Sequence, residues 1–218
     1  KAVKLETPDR VPCCVDVGFQ TAKVADISLR ELMFEPTIAW EAGKRVFELY
    51  GGGFDVWSDY STFGTEYLAP IPNSHSSMFF NWRLPGVDLP ENSLPQMVEV
   101  PIMEKVEDYK TLTEKGIWHY SKKLPPNLNK LYTKCLSDGF KVAADSVKWF
   151  KERSLPTSFP GSLIEPPCDV ISFLRSFQKY LVDMVRYPDR IIAASETLLP
   201  QLTKAAIDLT KFTNSKVI

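Results

Sequence analysis

The chain has 218 residues, with 26 Lys plus Arg against 27 Asp plus Glu, a formal net charge of −1, 44% hydrophobic residues and 12% aromatic ones. That balance excludes a broad basic surface for nucleic acid or an anionic membrane, and the apolar content excludes a disordered chain. No run approaches the ~20 consecutive apolar residues of a membrane span, so the composition predicts a soluble globular protein with neither nucleic-acid nor membrane partners.

Lys1, Val3 and Leu5 ahead of the Thr7-Pro8-Asp9-Arg10 turn read as the tail of a helix that starts upstream. Val11-Pro12-Cys13-Cys14-Val15-Asp16-Val17 reads as a buried strand, nearly continuously apolar as parallel strands covered on both faces are, and Gly18 ends it. Cys13 and Cys14 point to opposite faces of such a strand, which disfavours a shared metal and predicts two small core residues. With Cys135 and Cys168 they show no disulfide framework and no C-x-x-C spacing, which fits a reducing cytoplasm.

A short helix is predicted over 26–33 and a clear one over 36–50, where Ile38, Ala42, Val46 and Leu49 form one stripe before Gly51-Gly52-Gly53. Phe54-Asp55-Val56-Trp57 reads as a second strand, followed by Ser58-Asp59-Tyr60-Ser61. Prolines at 70, 72, 85, 90, 95 and 101 break any helix over 67–101, leaving a long ordered loop with extended or hairpin pieces, the type of segment that forms lids or binding surfaces. Helices follow over 104–115, stopped by Gly116, and from Pro125-Pro126-Asn127 to about Arg153. A third strand is expected over 157–164, then a helix over 170–186 capped by Asp169, and another from Pro188 or Asp189 to Phe212. Lys216-Val217-Ile218 reads as the opening of a fourth strand.

Strand, helix and strand in this order predict an α/β fold of TIM type, a (β/α) barrel seen as an incomplete barrel of about four units, half of the eight that close one. Residues 1–218 then form the amino-terminal part of a single barrel domain with a loop insertion at about 67–101, cut inside an element at both ends.

Four stretches in order carry a resemblance. They are Lys4-Leu5-Glu6-Thr7-Pro8-Asp9-Arg10-Val11-Pro12, then Phe54-Asp55 with Ser58-Asp59, then Glu107-Asp108-Tyr109, and finally Asp183-Met184-Val185-Arg186-Tyr187-Pro188-Asp189. Together they resemble the uroporphyrinogen decarboxylase superfamily, whose members open their first strand with a similar Pro-Asp-Arg-Val-Pro and carry an Asp-Met-Tyr-x-x-Pro-Asp segment. The resemblance implies an eight-stranded barrel with its site at the carboxyl ends of the strands, and one of two chemistries. Decarboxylases remove acetate carboxylates from a tetrapyrrole without a cofactor. The related methyltransferases exchange a methyl group with the cobalt of a corrinoid protein, using a zinc-bound thiolate or a tetrahydrofolate acceptor.

Asp59 matches the strand-end aspartate of the decarboxylases, which implies a catalytic carboxylate that accepts ring N–H groups and stabilises developing positive charge; the same residue would also serve to turn a strand end. The family's Arg-Gln-Ala-Gly-Arg-Tyr run corresponds to Gly18-Phe19-Gln20-Thr21-Ala22-Lys23, which has lost both arginines. Lys23 supplies one charge without the bidentate fork of a guanidinium. Phe173 stands where decarboxylases place a tyrosine. Both losses point toward the methyltransferase branch.

Glu66 and Asp16 are further substrate-binding candidates at an acidic mouth, with helix capping and local backbone bonding as the plainer roles. Trp82, in the cluster of Met78, Phe79, Phe80 and Leu84, fits a lid over a flat macrocycle, a docking face for a corrinoid protein, or a satellite core under a long loop. His75 and His119 have no metal spacing. The resemblance implies that zinc, where used, is held by residues outside this chain, and that a decarboxylase would need no cofactor. The leading expectation is a divergent enzyme that transfers a methyl group to or from a corrinoid held by a partner protein. Uroporphyrinogen decarboxylation and a non-catalytic tetrapyrrole- or corrinoid-binding paralogue stand as alternatives, and a homodimer remains open.

Overall fold

A computed structural model describes residues 6–15, 17–58, 82–97, 101–120, 126–155, 157–158 and 166–213. The expected barrel is not what these residues form. The described chain is mainly helical, and its parallel strands β1 (Cys14–Val15), β2 (Val56–Ser58) and β5 (Thr157–Ser158) are two or three residues long. They pair in the order β1-β2-β5, with Cys14 opposite Val56, Val15 and Thr157 opposite Trp57, and Ser158 opposite Ser58. A closed barrel needs longer staggered strands around a filled interior; here the apolar mass is buried between helices instead. The expected strand at 216–218 and most of the third strand lie outside the described residues.

The first helical group follows from local signals. α1 (Gln20–Ala25) ends where Asp26 takes a left-handed φ of 56°. Ser28 then opens α2 (Leu29–Phe34) with a reciprocal capping box: its hydroxyl accepts the Glu31 N–H at 3.0 Å, while the Glu31 carboxylate accepts the Ser28 N–H at 2.8 Å. The helix predicted over 26–33 begins only at Leu29, because Asp26 and Ser28 are better stops and caps than helix interior, and α1 lies ahead of it where no helix was predicted. α3 (Pro36–Leu49) begins on proline and ends at the triple glycine as expected.

One face of α3 supplies Ala39, Trp40, Ala42, Val46 and Phe47, packed with Trp57 of β2 and with Val142 and Phe150 of the long helix α5 (Pro126–Glu152). The Trp57 ring stacks on Phe54 with centroids 5.3 Å apart and meets Phe47 edge-on at 5.4 Å, and Trp149 stands edge-on to Phe47 at 4.9 Å. Edge and offset arrangements of this kind add to what area burial contributes.

The described part of the proline-rich loop is a hairpin of β3 (Trp82–Arg83) and β4 (Gln96–Met97), Trp82 opposite Met97. Its tip docks on the amino end of α2: Asn92 Oδ1 accepts the Leu29 N–H at 3.1 Å and the Glu91 carbonyl accepts that of Arg30 at 3.0 Å. With Ser28, these satisfy three of the N–H groups that a helix start leaves open. Gly86, at φ 68°, lies where a Cβ would come within 2.1 Å of the Arg30 side chain, so only glycine fits.

The second helical group comprises α4 (Asp108–Lys115), a 3-10 turn (Ile117–Tyr120), α6 (Pro167–Arg175), α7 (Phe177–Arg186) and α8 (Pro188–Thr213). The predicted helix over 170–186 is broken at Ser176, and it starts at Pro167 behind Pro166, leaving Asp169 inside the first turn rather than at the cap. Tyr109, Leu112, Ile171, Leu174, Leu198 and others form a core of their own.

Cys13, expected in the core, is exposed, whereas Cys135 is fully buried and donates to the Phe34 carbonyl at 3.4 Å. Burial pushes the Cys135 thiol up to about 11. An unfolded thiol loses its proton near ~8.5, so the folded state binds more protons between those values. Stability from this residue is fully present below the lower value and is lost as pH rises toward the upper one. Denaturant titrations from about pH 8 to 10 should show stability falling with pH, and Cys135→Ala should flatten that slope. A thiol reagent at neutral pH should modify Cys13 and Cys168 in the folded chain and reach Cys135 only on unfolding.

Candidate functional site

β1, β2 and β5 run parallel, so their carboxyl ends lie on one edge. Parallel sheets flanked by helices bind ligands at that edge, because chain leaves each strand there in loops free of ladder pairing. Asp16 and Asp59 directly follow Val15 and Ser58 in sequence. Both, with Glu66 and His75, lie outside the described residues.

The remaining candidates are spread out. Lys23 is exposed on α1 and lines an open groove of about 440 Å³ with Phe19, Gln20, Asp26, Asn92 and Leu94. Asp26 faces the same space, so the groove carries a carboxylate beside its lysine and, among the described residues, no guanidinium. Phe173 is half-buried on α6. Trp82 is half-buried against the Met33, Phe34, Leu84 and Cys135 cluster, which makes it part of the satellite core in this structure. His119 is exposed, its ring edge-on to Tyr120 at 5.2 Å. Among the described residues no three His, Cys, Asp or Glu side chains converge as metal ligands, so zinc has no ligand set there.

The stretches that carried the resemblance meet one another in pairs. Arg10 donates to Asp55 Oδ1 at 2.7 Å, and the Cys13 N–H donates to Asp55 Oδ2 at 2.8 Å, joining the entry to β1 with the entry to β2. The Cys13 N–H, then the Arg10 guanidinium, hold the Asp55 carboxyl below its ordinary range. The Cys13 carbonyl in turn accepts the N–H groups of Asp55 and Val56 at 2.9 and 3.3 Å, which sets the β1–β2 register.

The second pairing is buried. Tyr109 donates its hydroxyl to Asp183 Oδ2 at 3.1 Å, and Arg175 Nε donates to the same oxygen at 2.6 Å. Arg175 Nη1 also donates to the carbonyls of Met103 at 2.9 Å and Glu104 at 2.6 Å. The side chains of Arg175 and Asp183 are 6% and 5% exposed, so the charges face each other rather than water. Burial, then the Asp183 charge, raise Tyr109 well above an ordinary phenol, which favours the donating, protonated form. Asp108 accepts the Lys105 N–H at 2.8 Å, and Arg190 donates to the Val106 carbonyl at 3.1 Å and lies 3.9 Å from Glu107.

Comparison with known protein families, curated proteins and solved structures returns no match for this chain. Among the described residues no helix is long and apolar enough to cross a membrane.

Arg175 was not singled out from the sequence, though a signal was present: one arginine closes the apolar run Val170-Ile171-Ser172-Phe173-Leu174, eight positions before Asp183. Arginine so placed is rarely buried without a carboxylate to meet. Removing one partner of a buried pair leaves the other charge uncompensated, so Arg175→Met should lower stability by about 3–5 kcal/mol. Tyr109→Phe, which removes one bond to a charged acceptor, should lower it by roughly 1.5–3 kcal/mol. Urea unfolding of both variants checks the order; equal, small losses would show that the pair is not holding this core.

Proposed function

We propose that the chain is a uroporphyrinogen decarboxylase-like enzyme, cytoplasmic, that transfers a methyl group to or from a corrinoid carried by a partner protein. The observation that favours methyl transfer over decarboxylation is the groove beside Lys23. A carboxylate-rich tetrapyrrole needs several cations in fork geometry, and this groove offers one lysine with Asp26 next to it. A neutral methyl group bound for transfer makes no such demand.

The corrinoid supplies the exchange at cobalt. This chain supplies position and charge: Asp59, which follows Ser58 of β2 in sequence, acts as the reacting-centre carboxylate, with Asp16, which follows Val15 of β1 in sequence, and Glu66 as further acidic groups. A fixed carboxylate at a reacting centre stabilises positive charge as it develops and orients a donor without reorganising.

The test uses free methylcobalamin with a small thiol as acceptor, followed by the loss of its visible absorption. The wild-type chain should accelerate that loss, and Asp59→Asn, with folding retained, should slow it by about tenfold or more. Unchanged rates in Asp59→Asn would remove Asp59 from the site, and methylcobalamin left intact by the wild type would overturn methyl transfer. Incubation with uroporphyrinogen should yield no coproporphyrinogen; its appearance would establish the decarboxylase instead.

A further inference from the structure

Large apolar side chains left in water are unevenly spread over the protein. Among the described residues eighteen are exposed, and nine of these fall between Phe177 and Ile207. α7 buries only Tyr180 and Asp183. Its opposite face carries Phe177, Leu181 and Val185 one turn apart, flanked by Val182 and Met184, and Val185 is 83% exposed. On α8, Ile191, Ala194, Leu198 and Leu202 face the core, while Ile192, Leu199 and Ile207 share an outward stripe. The two helices follow each other at Tyr187, touch each other and pack on one core, so their outward faces are neighbours.

A fully exposed large apolar side chain presents about 150–200 Å². Nine at about half exposure turn roughly 700–900 Å² toward water. That exceeds the ~300–600 Å² of the largest patch on a typical monomer and is close to the ~800 Å² that each partner of a standard interface buries.

The charges beside these faces select the partner. Lys179 and Arg186 lie seven residues, or two turns, apart on one flank of α7. Asp189 and Glu196 lie seven apart on α8, along the stripe of Ile192 and Leu199. All four are exposed, and none has an ion-pair partner among the described residues. α7 thus offers an apolar face edged with two cations, and α8 an apolar stripe edged with two carboxylates at the same separation. Two α7 faces set against each other would oppose like charges, whereas α7 against α8 opposes unlike ones.

We propose that this surface joins two copies of the chain about a two-fold axis, α7 of each copy lying against α8 of the other. A two-fold interface is self-complementary, so one molecule supplies both halves of the match. Burial of the apolar side chains supplies the attraction, and the four charges fix which helices meet. The inference stands apart from the function proposed above.

Sedimentation equilibrium of the full chain tests it, with circular dichroism to check folding. The wild type should be dimeric with a dissociation constant of about 1 μM or below, weakening as salt is added. Val185→Glu puts a charge into the buried face and should raise that constant about a hundredfold or more. Val185→Ser should raise it about tenfold, which keeps the test valid if the glutamate variant does not fold. Two further variants reverse the charges: Lys179→Glu with Arg186→Glu on α7, and Asp189→Lys with Glu196→Lys on α8. Each alone should be monomeric where the wild type is dimeric, because unlike charges become like. Mixed in equal amounts the two should pair, since each then meets its complement on both helices. A wild type still monomeric at ~100 μM would overturn the proposal and leave the face to a different protein. A dimer unmoved by either change at Val185 would place the interface elsewhere. Reversed chains that dimerise alone, or that fail to pair on mixing, would overturn the match of α7 with α8.

Discussion

Taking a guanidinium and a carboxylate out of water costs several kcal/mol per ion, and their attraction offsets that only when the remaining donors and acceptors are also satisfied. Arg175 and Asp183 meet this condition by drawing on parts of the chain far apart in sequence: carbonyls at 103 and 104, a phenol at 109, and each other across a bend. A pair that needs so many partners tolerates few alternative arrangements. The second helical group takes its geometry from that intolerance, and its apolar core, including Leu112, Ile171, Leu174 and Leu198, fills in around a polar centre already defined.

The first group is organised differently. Its centre is aromatic, with Phe47, Phe54, Trp57, Trp149 and Phe150 in mutual edge and offset contact, and the polar anchor of its strands, Asp55, lies nearer the surface. Asp55 works through geometry rather than burial. By accepting from the Cys13 backbone and from Arg10 at once, it fixes where the first strand stands beside the second. Register in so short a ladder cannot come from accumulated strand pairing, so a side chain outside the ladder sets it.

What the sequence revealed depended on how local the determinant was. The helix over 36–49, opened by Pro36 and closed by three glycines, and the long helix from Pro126 follow from periodicity and breakers within the segment itself. The end of α1 at Asp26, where the sequence suggested a helix start, and the break at Ser176 were missed because both rest on positive φ at non-glycine residues, held by contacts that periodicity does not encode. The barrel was expected from the order of strands, but order says nothing of length, and the described strands are too short to carry one. Of the candidate site, Lys23, Phe173 and Trp82 were named from sequence, yet the structure assigns Trp82 to a core cluster and surrounds Lys23 with a carboxylate and an amide, facts of tertiary packing.

The motifs themselves now divide by physical role. Arg10 with Asp55, and Tyr109 with Asp183, are spent on one another, so their presence in a resembling pattern reports on how the chain is held together and not on what it transforms. Residues free of such duties carry the chemical argument. Near-neutral overall charge gives no long-range steering toward anions, so recognition must be decided by the few groups at the ligand edge. In the groove that Lys23 lines, Asp26 faces the same space, and a partner bearing a dense array of carboxylates would meet repulsion there as well as attraction. A flat, largely uncharged group would meet no such repulsion in that field.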